Sequence, residues 1–123
     1  MAQREVIAIV DDDALIRETL KDLLDSAGYS SVVFSSAQRF LKSKRLDRFA
    51  CLITDMRMPG TTGIELYQKL VDAGRAIPTI LITAYPDDTA RARAVRAGIR
   101  CYLPKPVTSE ALLGCVAEAL EAR

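Results

Sequence analysis

The chemistry-bearing residues of this chain are few. They are the run Asp11-Asp12-Asp13, a single Asp55, Thr83 and Lys105, each standing at or just after a short apolar run. Carboxylates about 4 Å apart repel by roughly 4 kcal/mol per pair at an effective dielectric near 20, so acids that converge need a counter-charge. A hard divalent cation supplies one, and an all-oxygen donor set suits Mg²⁺. Magnesium takes only one or two carboxylates and keeps several waters, which leaves a carboxylate free as a nucleophile. A carboxylate can attack phosphorus and form an aspartyl phosphate. The Lys105 ammonium would then neutralise charge on the moving phosphoryl group, and the Thr83 hydroxyl would bond one of its oxygens. Taken singly, each residue is ordinary. An Asp after a strand is usually a helix cap or turn residue, the role assigned to Asp13, and a lone Thr or Lys there is usually just solvated. The weight lies in their joint placement.

Five apolar runs of strand length alternate with five amphipathic stretches of helix length. Strands are expected at Glu5 to Val10, Ser31 to Phe34, Cys51 to Thr54, Thr79 to Thr83 and Arg100 to Leu103. The first helix is expected from Ala14 to Ala27, with Asp13 as N-cap and Gly28 just past its end. Leu15, Leu20, Leu23 and Leu24 would form its buried stripe, with Arg17, Glu18, Lys21 and Asp22 in water. Ser35 or Ser36 caps a short second helix carrying Phe40 and Leu41, and Lys42 to Arg48 reads as a basic loop. A Met58-Pro59-Gly60 turn precedes a third helix from Gly63 to Ala73. The fourth runs from Asp87 to Ala97, with an Asp87–Arg91 pair on a solvated face. Thr108 or Ser109 caps the last, which reaches the C-terminus and contains Gly114, a residue that would permit close packing.

Strict alternation with short connections implies a doubly wound parallel sheet with helices on both faces. Ligands in such folds collect outside the carboxyl ends of the strands. Those ends carry the acids, Thr83 and Lys105. No repeat or linker marks a second domain, so residues 1–123 are expected to form one.

Composition narrows the field further. Seventeen Lys and Arg face sixteen Asp and Glu, so no overall field recommends direct nucleic-acid or membrane binding. No apolar run approaches the roughly 20 residues that span a bilayer, and the N-terminus lacks a signal peptide's cleavage site. A cytoplasmic location is expected. With no histidine and three cysteines in no ligand spacing, zinc sites and Ser-His or Cys-His pairs are excluded. Cys51, Cys101 and Cys115 read as reduced, mostly buried thiols.

The pieces IVDDD (Ile9 to Asp13), LITDMRMPGTTG (Leu52 to Gly63), ILITAY (Ile80 to Tyr85) and YLPKP (Tyr102 to Pro106) resemble the response-regulator receiver domains, the family that includes the chemotaxis regulator. The resemblance runs from Val6 to about Leu120. The DMRMPG stretch looks most like receivers of regulators with a LuxR-type DNA-binding output domain. The resemblance implies a flavodoxin-like (βα)5 fold in which Asp55 accepts a phosphoryl group from a sensor histidine kinase. Asp11, Asp12, Asp55 and the main-chain carbonyl of Arg57 would hold Mg²⁺, Thr83 would bond the phosphoryl group and Lys105 would pair with it. The Lys105–Pro106 bond would be the family's cis peptide and aim Lys105 at Asp55. Thr83 and Tyr102 would form the switch: Thr83 moves toward the phosphoryl group, Tyr102 turns inward, and the face of the fourth helix, fifth strand and fifth helix is remodelled. Arg57 and Tyr85 would flank the path of the attacking water.

The implied partners are the kinase, an output domain or downstream protein, and a second copy in a phosphorylation-dependent homodimer. The implied output is transcription through a DNA-binding domain outside this chain, and the alternative is a stand-alone regulator working through protein contacts. A phosphoacceptor of this kind is not a turnover enzyme. Two other readings compete. Aspartate-nucleophile phosphatases need a second Asp two residues on, where this chain has Arg57. A flavodoxin-like carrier or phosphorylation-independent module would lack part of the acid-lysine set or carry a phosphate-cradling glycine loop, and neither is the case.

Overall fold

The computed structural model describes residues 5–44 and 46–121. The expectations about the N-terminal leader (residues 1–4), Arg45 in the basic loop and the last two residues of the final helix lie outside the described residues. Strands β1 (Val6–Val10), β2 (Ser30–Phe34), β3 (Phe49–Asp55), β4 (Thr79–Thr83) and β5 (Cys101–Pro104) form one parallel sheet in the order β2-β1-β3-β4-β5. Helices α1 (Ala14–Ser26), α2 (Ala37–Leu41), α3 (Gly63–Asp72), α4 (Asp88–Ala97) and α5 (Ser109–Glu121) connect and cover them. This is the doubly wound, flavodoxin-like arrangement that the alternation implied.

The middle strands β1, β3 and β4 are buried along their whole length because both faces of the sheet are covered there. Ile7 and Ile9 of β1 point into a core with Leu20 and Leu24 of α1 and Leu112 and Val116 of α5. Val6, Ala8 and Val10 point the other way, against Phe40 of α2 and Leu66 and Leu70 of α3. Beside β4 and β5, a third cluster joins Leu81 and Tyr102 to Tyr67 of α3 and Ala94 of α4. The register aligns the site: Val10 lies beside Thr54, Asp55 beside Ile82 and Thr83 beside Pro104. Asp11 and Lys105 therefore emerge at the same edge as Asp55.

Several local expectations give way. Leu15 is 68 % exposed; the face turned to the sheet carries Ile16, Leu20, Leu23 and Leu24, and Leu15 sits one residue, about 100°, off it. Arg17 and Lys21 are half-buried rather than in water, and Lys21 Nζ donates to Ser31 O at 3.1 Å. The Met58-Pro59-Gly60 turn is the tip of a small antiparallel hairpin pairing Arg57 with Thr62 and Met58 with Thr61. A 3-10 turn at Leu46–Arg48 interrupts the predicted loop. Asp87 caps α4 by accepting from Thr89 N at 3.0 Å, and Arg91 lies over the Tyr102 ring instead of pairing with Asp87. Cys51 is buried, while Cys101 and Cys115 are half-buried and all three are free thiols. Burial pushes the Cys51 thiol up to about 12, so it stays protonated and inert.

Two glycines behave oppositely. A Cβ on Gly63 would strike the Leu81 side chain and lie 2.7 Å from the Asp55 carbonyl oxygen. A bare Cα there lets α3 start hard against the end of β3, where Gly63 N donates to Met56 O at 2.8 Å. Gly114 faces open space, so it serves no close packing. We predict that Gly63→Ala costs about 1–3 kcal/mol through overpacking, whereas Gly114→Ala adds about 1 kcal/mol from helix propensity. Denaturant midpoints of the two variants should move in opposite directions.

Candidate functional site

Asp11 ends β1 with no exposed surface, and Asp55 ends β3 nearly as deeply buried. Lys105 reaches both: its Nζ donates to Asp11 Oδ2 at 3.3 Å and lies 3.4 Å from Asp55 Oδ1. The Lys105–Pro106 peptide is cis, and Lys105 N donates to Thr83 O at 2.7 Å. The main chain supports each acid. Asp13 N donates to Asp11 Oδ1 at 2.9 Å, and Arg57 N lies 3.5 Å from Asp55 Oδ1. Asp13 itself caps α1, accepting from Leu15 N at 2.9 Å, as its position suggested.

Asp12 is exposed, yet carboxylate oxygens of Asp11, Asp12 and Asp55 all lie within 4.8 Å of one another. Three carboxylates against one ammonium leave two negative charges uncompensated. Burial pushes the Asp11 and Asp55 carboxyls above their ordinary value, and it outweighs the lowering pull of Lys105 on each. A doubly charged cation would cancel that excess. The donor set is all oxygen, with one exposed member open to solvent. It fits a small hard ion that keeps water ligands, such as Mg²⁺.

Thr83 and Tyr102 stand one layer away from the ion pairs. Thr83 is buried, and its Oγ1 accepts from Tyr85 N at 3.1 Å. Its hydroxyl hydrogen is left to donate elsewhere. Tyr102, expected to turn inward on activation, is already only 7 % exposed, and its hydroxyl accepts from Asp87 N at 3.3 Å. Tyr85 projects into solvent with the Arg57 guanidinium 5.9 Å from its ring centroid.

Three positioning features are absent from the reading of the residues alone, two of them because they leave little or no mark there. Arg17 folds back from α1 to donate to Asp11 O at 2.8 Å; nothing in its spacing separates it from a solvated arginine. Gly63 is visible there only as a helix start. Thr62 and Glu65 form a capping box, with Glu65 N to Thr62 Oγ1 at 3.1 Å and Thr62 N to Glu65 Oε1 at 2.8 Å. That T-x-x-E spacing is a readable signal.

Comparison with known proteins identifies the family and the fold. Residues 7–117 match the family described as response regulator receiver domain. The chain is 39 % identical over 119 residues to the response regulator protein TmoT of Ectopseudomonas mendocina, covering 97 % of this chain and 54 % of TmoT. It is 33 % identical to the transcriptional regulatory protein FixJ of Bradyrhizobium diazoefficiens, over 98 % of this chain and 58 % of FixJ. The chain thus spans about half the length of the curated relatives it matches. The structure of the response regulator StyR superposes with a TM-score of 0.90 at 40 % identity, over 98 % of this chain and 61 % of StyR. No helix among the described residues is long and apolar enough to cross a membrane.

Raised carboxyl pKa values mean that the native state holds those protons more tightly than the unfolded chain does. The two acids support the fold below the ordinary value of 3.8, and that support is lost as pH climbs through their folded values. In chelated buffer, Asp11→Asn should gain stability relative to the wild type as pH rises above about 4. Added Mg²⁺ should raise the neutral-pH melting temperature of the wild type and not of Asp11→Asn. Parallel pH curves with no cation effect would contradict this account.

Proposed function

Because this chain belongs to the response regulator receiver domain family, we propose that Asp55 is its phosphoryl acceptor and that the phosphate acts as the signal. The supporting observation is the single Lys105 ammonium held between Asp11 and Asp55. Asp55 Oδ1 is engaged by Lys105 and by Arg57 N. No buried polar side-chain atom among the described residues lacks a partner, so the other Asp55 oxygen, with no bond of its own, faces solvent. That oxygen attacks phosphorus. The bond from phosphorus to the imidazole nitrogen of a sensor kinase's phosphohistidine breaks, and its electron pair leaves on the imidazole.

Lys105 is already placed beside the acceptor and follows the charge as it moves, while Thr83 donates its hydroxyl hydrogen to a phosphoryl oxygen. Asp11, Asp12 and Asp55, with the main-chain carbonyl of Arg57, would hold Mg²⁺, which when bound neutralises phosphoryl oxygens. Position 57 offers a guanidinium and not a general acid, which favours a stored phosphate over ester turnover. The domain is then a regulatory phosphoacceptor rather than a turnover enzyme.

The new group brings about −1.5 to −2 charges. Thr83 is tied to the β4–α4 connection through Tyr85 N, so its rotation toward the phosphate displaces the start of α4, to which Tyr102 is bonded. The α4–β5–α5 face is the output surface in this reading, and Thr83 and Tyr102 are its switch. FixJ is described as a transcriptional regulatory protein and extends well beyond the matched region. We assign this chain a place of its own in transcription control: a single receiver over 1–123, cytoplasmic, whose output is a LuxR-type DNA-binding domain and whose phosphorylated form pairs through the output face.

Incubation with Mg²⁺ and a radiolabelled acyl phosphate should label the wild type and leave Asp55→Asn blank. Lys105→Met should slow labelling by about 100-fold. Label retained by Asp55→Asn would overturn the acceptor assignment.

A further inference from the structure

α4 is the most lightly anchored helix of the fold. Its only buried side chain is Ala94, with Ala90 and Ala97 partly covered, so it sets three methyl groups against a sheet that α1 and α5 grip with leucines. A helix seated on alanines needs other attachments to hold its position. Two converge on one side chain of β5. The Tyr102 hydroxyl accepts from Asp87 N, the residue that caps α4. The Arg91 guanidinium, one turn along α4, lies 4.9 Å from the centroid of the same ring.

We infer that Arg91 is a positioning residue that clamps the Tyr102 ring in its buried orientation and thereby fastens the N-terminal turns of α4 to β5. The ring is closed in by the third core cluster, and a guanidinium within about 6 Å of its centroid is held by the negative π face. Arg91 is itself exposed, so its aliphatic stem adds cover at little desolvation cost. Its pairing with Tyr102 separates it from Arg93 and Arg96 on the same helix, which contact no ring among the described residues. The clamp stands on these contacts of the folded chain. Only its use in signalling rests on the phosphoacceptor reading above.

The test follows Tyr102 by NMR, with ring-labelled tyrosine in the whole chain and a soluble paramagnetic probe, alongside amide exchange at Asp87. Arg91→Gln should raise probe access to the Tyr102 ring and exchange at the Asp87 amide by about two- to five-fold, the range expected for an exposed cation–π contact. Arg91→Lys should keep most of the protection, because an ammonium also binds the ring face. Arg96→Gln, which removes the same charge from α4 without touching the ring, should leave both readings at the wild-type level. Unchanged readings in Arg91→Gln, or an equal rise in Arg96→Gln, would overturn the clamp. Acyl-phosphate labelling of the same samples separates the two ideas: wild-type protein that fails to label discredits the acceptor reading, while the ring and amide readings alone decide the clamp.

Discussion

A buried pocket that holds more negative charge than its own residues can neutralise is the constraint around which this protein is organised. Taking carboxylates out of water costs several kcal/mol per ion unless partners compensate. Here one ammonium is divided between two of them. The chain nonetheless buries both acids at the ends of neighbouring strands and braces them with main-chain N–H groups. Such an arrangement carries a standing cost in the fold, and it is poised for a cation and an anion together. The parallel order β2-β1-β3-β4-β5 makes this possible, since it places the carboxyl ends of β1, β3, β4 and β5 along one edge.

Most of that edge was legible in the residues. Alternating apolar runs dictated the parallel sheet, and the sheet dictated which polar residues meet. Asp11, Asp12, Asp55 and Lys105 needed no more than that. What stayed hidden depends on three-dimensional fit. Leu15 satisfies a helical periodicity on paper, but the stripe is centred on Ile16, Leu20 and Leu24, and a one-residue rotation sends Leu15 into solvent. Gly63 carries no periodic signal, because its role lies in the distance to Asp55 and Leu81. Arg17 stands among the other charged residues of α1 and Arg91 as one of three arginines on α4, and only the folded chain gives each a particular partner.

The two sides of the sheet are built to different tolerances. On one, α1 and α5 bury leucine, isoleucine and valine side chains in a continuous cluster. On the other, the aromatic trio Phe34, Phe40 and Phe49 packs with ring centroids 5.3–5.9 Å apart around α2, while α4 rests on alanines. Few large apolar contacts mean a low local free energy of opening. The fold thus sets its large interlocked side chains on the α1–α5 side of the sheet and leaves α4 the most loosely seated of its helices.

Asp11 and Lys105 are bonded across a sequence separation of 94 residues. A ribosome-bound nascent chain therefore exposes its acidic doublet long before the lysine exists, and β1, β3 and β4 can associate while the pocket still lacks the ammonium that bridges its two buried acids. Docking of β5 against β4 completes the sheet and brings the Lys105 ammonium to the acids in one event. A chain stopped short of the fifth strand would present the acids without the ammonium, so the pocket gains its lysine only when all but the final helix has been synthesised.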